Sequence, residues 1–309
     1  MSTEKVVVTI TIDTECDHDP QWVRSDPLRL LSVIDGIPNK LQPVFRSLSA
    51  KPTYLLAVEV MENEECVKTL KNIEDEIELG THLHSAFVEP EKIYYEYAGV
   101  ESLDYQCHCS PDVEYKKLET LTNLYKSRFD VQPRTFRAGR FGAGENTIRS
   151  LNKLNYWVDT SVVPAICIHH SEGNINYKHA PKQPYYPDDK SIVKIGKTID
   201  GKKLLEIPVT IKPRLLRSPK WFRPWFSTVD QMKKIARYHL KNYEENRIIL
   251  LNMMFHSMEV IPKASPYPQT ETECVIFLDN LHEILNWCKK EGYEFTTCKE
   301  AYGLFKNLS

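Results

Sequence analysis

The sequence predicts an α/β protein, a closed or nearly closed barrel of seven or eight strand–helix units held in one domain. Strand-length apolar runs alternate along the chain with helical patterns, which implies a parallel sheet with helices outside it. Eight such runs fall within 309 residues, more than two small domains would need. Three of the runs deliver ionisable side chains just where they end, the way a (β/α) barrel assembles a site from separate strand ends.

The runs are residues 6–12, 53–58, 77–84, 135–138, 156–160, 204–209, 248–255 and 293–297. Each is rich in Val, Ile, Leu, Tyr, Phe or Thr and is bounded by polar or turn-forming residues. Between them the clearest helix opens at Ser110-Pro111-Asp112, with an N-cap, proline at the first helical position and acid in the first turn. It carries Leu118, Leu121, Tyr125 and Phe129 at helical spacing. A second helix begins at Ser227 and buries Met232 and Ile235. A third runs through Val275, Leu278, Leu281 and Leu285 and stops before Gly292. Residues 164–224 break the alternation: rich in Pro, Tyr, Trp and Lys/Arg, with one clear strand, they read as an insertion over a barrel rim within a single domain spanning 1–309.

Composition narrows the function classes. Apolar content is 41% with 11 glycines, as in an ordinary globular protein with a sizeable core. A net charge of -2 supplies no global attraction to nucleic acid or to anionic membranes, so such binding would need a local patch. Eight scattered cysteines without a CxxC pair read as reduced thiols. Met1 leads straight into a strand-like run, and no apolar stretch approaches the roughly 18 residues of a membrane span. The expectation is a cytoplasmic protein with no transmembrane segment and no nucleic-acid partner.

The chemistry sits at the strand ends. In extended chain, side chains two apart share a face, so Asp13 and Glu15 can address one point, as can His82 and His84. Two imidazoles and a carboxylate are a standard set for a catalytic zinc, with one coordination position left open. A further carboxylate could then act as base. Each pattern also has an ordinary reading: Asp-Thr-Glu as a turn that caps a helix, the histidine pair as one packed and one exposed ring, His256 as a satisfied core histidine. Three strand ends carrying such groups together favour the site.

Five segments carry a resemblance. Thr11-Ile12-Asp13-Thr14-Glu15, Glu78-Leu79-Gly80-Thr81-His82-Leu83-His84, Phe136-Arg137-Ala138-Gly139-Arg140-Phe141-Gly142, Tyr156-Trp157-Val158-Asp159-Thr160-Ser161 and Met254-Phe255-His256-Ser257-Met258-Glu259 follow one another in the order of the motifs of the polysaccharide deacetylases, the NodB-homology group. The chain most resembles the WalW-like branch linked to bacterial surface polysaccharide and lipopolysaccharide synthesis. The resemblance implies a distorted NodB-like (β/α) barrel and a divalent metal, most often Zn2+, that serves removal of an N-acetyl group from an amino sugar. It implies Asp13 as catalytic base and His256 as general acid. Glu15, His82 and, as the nearby substitute, His84 would be metal ligands. Arg137 would orient the base, and Asp159 would steady that arginine.

Several positions depart from the family pattern. Many members carry adjacent aspartates in the first motif, where this chain has Glu15 two residues after Asp13. The usual second histidine lies four residues after the first, and here that place is Ala86. The third motif lacks its common proline at Arg137-Ala138-Gly139.

Other groups weigh less. Cys107-His108-Cys109 has no second half at zinc spacing and reads as a turn. His169, His170 and His179 read as surface residues, His239 and His282 as ordinary helix residues, and Cys16 as a neighbour within reach of the metal. Arg214, Arg217, Lys220 and Arg223 interleave with Trp221, Phe222, Trp225 and Phe226. Such a patch suits an acetylated amino sugar carried on a nucleotide or lipid diphosphate, or is a lid whose aromatics pack inward. The rival functions are hydrolysis of a formamido sugar or cyclic ureide, and a non-catalytic carbohydrate-binding protein. The oligomeric state leaves no trace in the sequence.

Overall fold

The computed structural model describes residues 5–92, 105–170, 173–196, 204–215 and 217–306. The chain forms two compact units, Met1–Glu78 with Thr210–Thr297, and Leu79–Val209 with Cys298–Ser309.

The first unit is built on β1 (Lys5–Thr14), β2 (Pro52–Leu56) and, late in the chain, a long strand Ile248–His256. That late strand runs parallel to β1 along its whole length, with Lys5 opposite Ile248, Thr9 opposite Asn252 and Asp13 opposite His256. The other neighbours of β1 are β2, parallel over Ile10 to Thr14, and the short strand Glu294–Phe295 at Val7 and Val8. From Val7 to Thr14 every β1 residue is buried. A parallel strand covered on both faces reads as an apolar run rather than an alternation, which is why residues 6–12 look as they do. Phe277 of helix Glu271–Lys290 packs edge-on against Phe255 at 5.3 Å. Burying such side chains contributes about 1.5–3 kcal/mol each.

That helix starts at a capping box, Thr270 with Glu273. Its buried stripe is Cys274, Phe277, Leu281, Ile284, Leu285 and Cys288, whereas Val275, expected inside, is 54% exposed. The apolar pair Val275-Ile276 lies on the water side, and spacing alone assigned it to the wrong face. The helix expected from Ser227 is Val229–Asn242, capped by Thr228, and it buries Met232 and Ile235.

Between β1 and β2 the sequence left elements unassigned. Asp17–His18 pairs with Arg24–Arg29 as a hairpin, followed by a π-helical stretch Ser32–Leu41 and helix Gln42–Leu48. The Asp17 carboxylate accepts from the amides of Leu31 and Ser32 at 2.8 and 3.1 Å, which caps that start. Pro38 inside the π stretch has no amide hydrogen to donate, so the regular α-helical ladder is already interrupted there.

The second unit has the parallel order β3 (Glu78–Leu83), β4 (Thr135–Ala138), β5 (Val158–Asp159), β6 (Leu205–Glu206). The register puts His82 opposite Arg137, and Phe136, Asp159 and Glu206 in one row. Helix Pro111–Phe129 follows its sequence signal closely, with Ser110 as N-cap and Asp130 closing it at φ 58°. Helix Cys298–Lys306 stacks Tyr302 on Trp157 at 5.4 Å. Residues 164–224 hold more order than the single strand expected. Three antiparallel pairs occur there: Cys167–His170 with Gly173–Asn176, Pro187–Asp188 with Ser191–Ile195, and Ile211–Arg214 with Arg217–Trp221. These strands are two to five residues long, and three of the six contain proline, so they carry too little periodicity to read. Among the described residues no helix is long and apolar enough to cross a membrane.

A polar layer crosses the first unit below its strand ends. The hydroxyls of Thr9 and Thr11 donate to Asn252 Oδ1 at 3.2 and 3.1 Å, all three residues being fully buried. The Thr210 hydroxyl accepts from the Asn252 amide at 2.8 Å. Replacing Asn252 by Ala removes the acceptor of the buried Thr9 hydroxyl, while Thr11 keeps the Met253 carbonyl at 2.9 Å, so Asn252→Ala should lower the unfolding free energy by about 1–3 kcal/mol, as read by urea denaturation.

Candidate functional site

In the first unit, three groups expected to do chemistry meet. Parallel pairing sets Asp13 beside His256, and Glu15 follows two residues on, where the strand has ended. Asp13, Glu15 and His256 each offer a ligand atom within 4.8 Å of the other two. His256 Nε2 lies 3.9 Å from Asp13 Oδ2 and 4.0 Å from Glu15 Oε1. Both carboxylates are 3% exposed. Two acids so close and so far from water repel each other, and the arrangement is stable only with positive charge near them. The donor set therefore fits a divalent cation.

His256 is held from behind. Its backbone amide and its Nδ1 both donate to Glu259 Oε1 at 3.0 Å, the turn Ser257–Val260 bringing the glutamate back over the ring. With the Nδ1 proton assigned to that bond, Nε2 is the atom turned toward Asp13 and Glu15. Arg223 pairs with the same Glu259 oxygen and lies 3.2 Å from His256 Nδ1. Burial would raise the Glu259 carboxyl, but Arg223 and His256 outweigh it and hold it below the ordinary range. Glu259 thus stays ionised and orients the ring, while Arg223 balances its charge. Arg223 is 3% exposed and Phe222 fully buried, so these two follow the inward-packing alternative rather than an open basic and aromatic patch.

Glu59 is a further buried acid near Glu15, answered by Arg24. It accepts from the Cys16 amide at 3.1 Å and faces Arg24 at 3.5 Å; burial pushes it up, but Arg24 with the backbone donors leaves it below its ordinary value. Burial, then Glu59, push the Cys16 thiol far up and keep it protonated.

Aromatic rings line the way out from His256. Trp22 sits 5.4 Å from the His256 ring, and Tyr267 lies 5.7 Å from both Trp22 and Trp225 and 5.5 Å from Phe226. Trp22 is 39% exposed and has φ 64° at the hairpin tip, a conformation a bulky residue adopts only when its surroundings impose it. Asp19 does so, accepting from the amides of Gln21 and Val23 at 2.8 Å each.

The second unit brings together the other expected residues. His82 Nδ1 donates to the Arg137 carbonyl at 3.1 Å, which turns its Nε2 toward His84 Nε2 at 3.1 Å. Two imidazole nitrogens so placed, one ring oriented by a carbonyl, suit a shared cation. Gly139 makes room: a Cβ there would stand 2.8 Å from His84 Nδ1 and from the Leu83 carbonyl. The Arg137 side chain is fully buried and donates to the Thr160 carbonyl at 2.8 Å and hydroxyl at 3.0 Å. Asp159 accepts from the Ser161 hydroxyl and is hydrogen-bonded to Glu206, a residue the sequence reading passed over. The signal was present, a lone acid amid Leu204-Leu205 and Ile207-Pro208-Val209. Burial pushes Asp159 up to about 6, against the pull of Ser161, Glu206 and Arg137. Burial and the charge of Asp159 push Glu206 well above the ordinary carboxylate range. One proton therefore stays within the pair, whose single negative charge faces Arg137. Of the weaker candidates, Cys107 and His108 lie in a 3-10 turn ahead of the Ser110 cap, His179 and His282 are exposed, and His239 is buried and donates to the Ile211 carbonyl at 2.9 Å.

No family model and no curated protein matches the chain. Solved structures do. A candidate glycoside hydrolase/deacetylase from Parabacteroides distasonis aligns over 99% of this chain and 71% of its own, at 13% identity and TM-score 0.66. PuuE allantoinase aligns over 96% and 89%, at 10% identity and TM-score 0.56. A candidate polysaccharide deacetylase from Mycobacterium smegmatis aligns over 95% and 93%, at 14% identity and TM-score 0.50. At these identities the likeness shows the fold alone: the chain has the α/β fold of these deacetylase and allantoinase structures, the NodB-like class its sequence predicts.

The carboxyl pair makes stability depend on pH. Folded-state values above the ordinary 3.8 and 4.5 mean that the protonated pair favours folding, a contribution complete at low pH that falls as pH rises, the Asp159 share through about 6 and the Glu206 share on to higher pH. Glu206→Gln keeps the hydrogen bonds and cannot ionise. Its melting temperature relative to the unsubstituted protein should climb between about pH 5 and about pH 8; a difference independent of pH would contradict the shared proton.

Proposed function

We propose that the protein is a divalent-metal-dependent hydrolase that removes an N-acetyl group from an amino sugar, with Asp13 as base and His256 as acid. The observation that carries this reading is the meeting of Asp13, Glu15 and His256 within 4.8 Å at the ends of paired parallel strands. We assign Glu15, His82 and His84 as metal ligands, zinc being the ion this nitrogen and carboxylate set favours. When bound, the metal would polarise the amide carbonyl and make a water acidic enough to attack near neutral pH. Asp13 takes the proton of the attacking water. The His256 Nε2 then protonates the departing amine, with Glu259 orienting the ring. The Asp159–Glu206 pair steadies Arg137.

The sugar reading draws on the rings beside His256, since Trp22 and Tyr267 offer flat apolar faces of the kind that pyranose rings stack on. It also draws on the deacetylases among the structural neighbours. The likeness of the motifs to the WalW-like branch supports a substrate among precursors of bacterial surface polysaccharide or lipopolysaccharide, carried on a nucleotide or a lipid. Eight unbridged cysteines suit the reducing cytoplasm in which such precursors are made. A second reading, opening of a cyclic ureide, is favoured by the likeness to PuuE allantoinase. Acetate release separates the first reading from ureide products.

Asp13→Asn should cut acetate release from acetylated amino sugars by about 10²–10⁴-fold. Its zinc content by elemental analysis should stay that of the unsubstituted protein, while His82→Ala should lose metal. Full turnover by the Asp13→Asn protein would refute the assignment of the base.

A further inference from the structure

The charge of this chain is unevenly spread. From 210 to 242, one hairpin and the helix that follows, stand nine Lys and Arg and a single acid, Asp230, in a protein whose net charge is -2. Three of the nine are engaged with other elements: Arg223 with Glu259, Lys233 with Glu283 at 3.1 Å, and the exposed Arg237 over the Trp287 ring at 5.6 Å. The rest point to a surface.

The hairpin of Ile211–Arg214 and Arg217–Trp221 carries Lys212, Arg214, Arg217 and Lys220. At its turn Leu215 is 89% exposed, more than any other large apolar side chain among the described residues. Lys234, Arg237 and Lys241 follow at helical spacing on one face of Val229–Asn242. Lys212 lies over the Tyr238 ring at 5.5 Å, joining the hairpin to that helix. Trp221 and the 37% exposed Phe226, whose rings are 5.7 Å apart, add apolar surface at the hairpin base.

We propose that this basic hairpin, with the adjoining helix face, docks the protein on an anionic lipid bilayer, Leu215 entering the headgroup region while the cations meet lipid phosphates. A bilayer supplies both things the surface asks for, dense negative charge and an apolar layer beneath it. A soluble polyanion satisfies the cations and leaves the leucine in water. A partner strand added to the hairpin edge is disfavoured, because Pro213 and Pro219, one in each strand, cannot donate to a further ladder. This surface is independent of the hydrolase reading, and its test uses no turnover.

The test is co-sedimentation of the full chain with vesicles of phosphatidylcholine alone and of equal parts phosphatidylcholine and phosphatidylglycerol. The protein should partition onto the mixed vesicles only, and salt at about 0.5 M should release it. Arg214→Glu with Arg217→Glu should weaken partitioning about tenfold or more, and Leu215→Asp should weaken it too. Lys68→Glu, on helix Glu64–Lys71, should leave it unchanged; circular dichroism checks that each variant is folded. Absence of binding, equal binding to neutral vesicles, or unchanged binding by the double variant would overturn the proposal. So would dextran sulfate binding that competes fully with vesicles and is matched by a Leu215→Asp protein that has kept its vesicle affinity.

Discussion

Two carboxylates buried at the end of one parallel strand impose the main constraint on this protein. Asp13 and Glu15 can stand there, 3% exposed, only if their charge is answered locally. The chain holds them together, with ligand atoms within 4.8 Å of each other. The register of that strand with the strand Ile248–His256 then sets which side chain stands beside them, and that side chain is His256.

Four other buried acids meet the same demand in one of two ways. Glu59 and Glu259 are each set against an arginine, Arg24 and Arg223, and remain ionised although buried. Asp159 and Glu206 instead keep a proton between them. The first kind fixes a direction: Glu259 accepts from His256 Nδ1 and so aims Nε2. The second kind adjusts an amount, leaving one negative charge to meet the single positive charge of Arg137. The layer of Thr9, Thr11 and Asn252 beneath the first unit's strand ends holds the backbone from which Asp13 and His256 project.

Much of this was legible in advance because it is local. Strand burial on both faces writes itself as an apolar run, and all eight runs are strands. Ser110-Pro111-Asp112 is a complete helix start, and the helix begins there. The strand-end groups Asp13, Glu15 and His256 were visible as polar residues closing apolar segments. The hairpins within 164–224 and the π-helical stretch Ser32–Leu41 were not, since short or proline-broken elements leave no period to detect. Arg223 misled for a related reason. It lies among Lys220, Trp221 and Trp225 in sequence, yet its guanidinium is spent on Glu259, 36 residues away.

By itself the sequence determined the α/β class, the strands and main helices, and the kinds of group that end the strands, because each depends on residues within a turn or a strand of one another. Tertiary structure decided which of those groups meet, which nitrogen of His256 faces the acids, and whether Glu206 keeps its proton. Those depend on register, burial and the charge of neighbours distant along the chain, and none of them is a property of a segment alone.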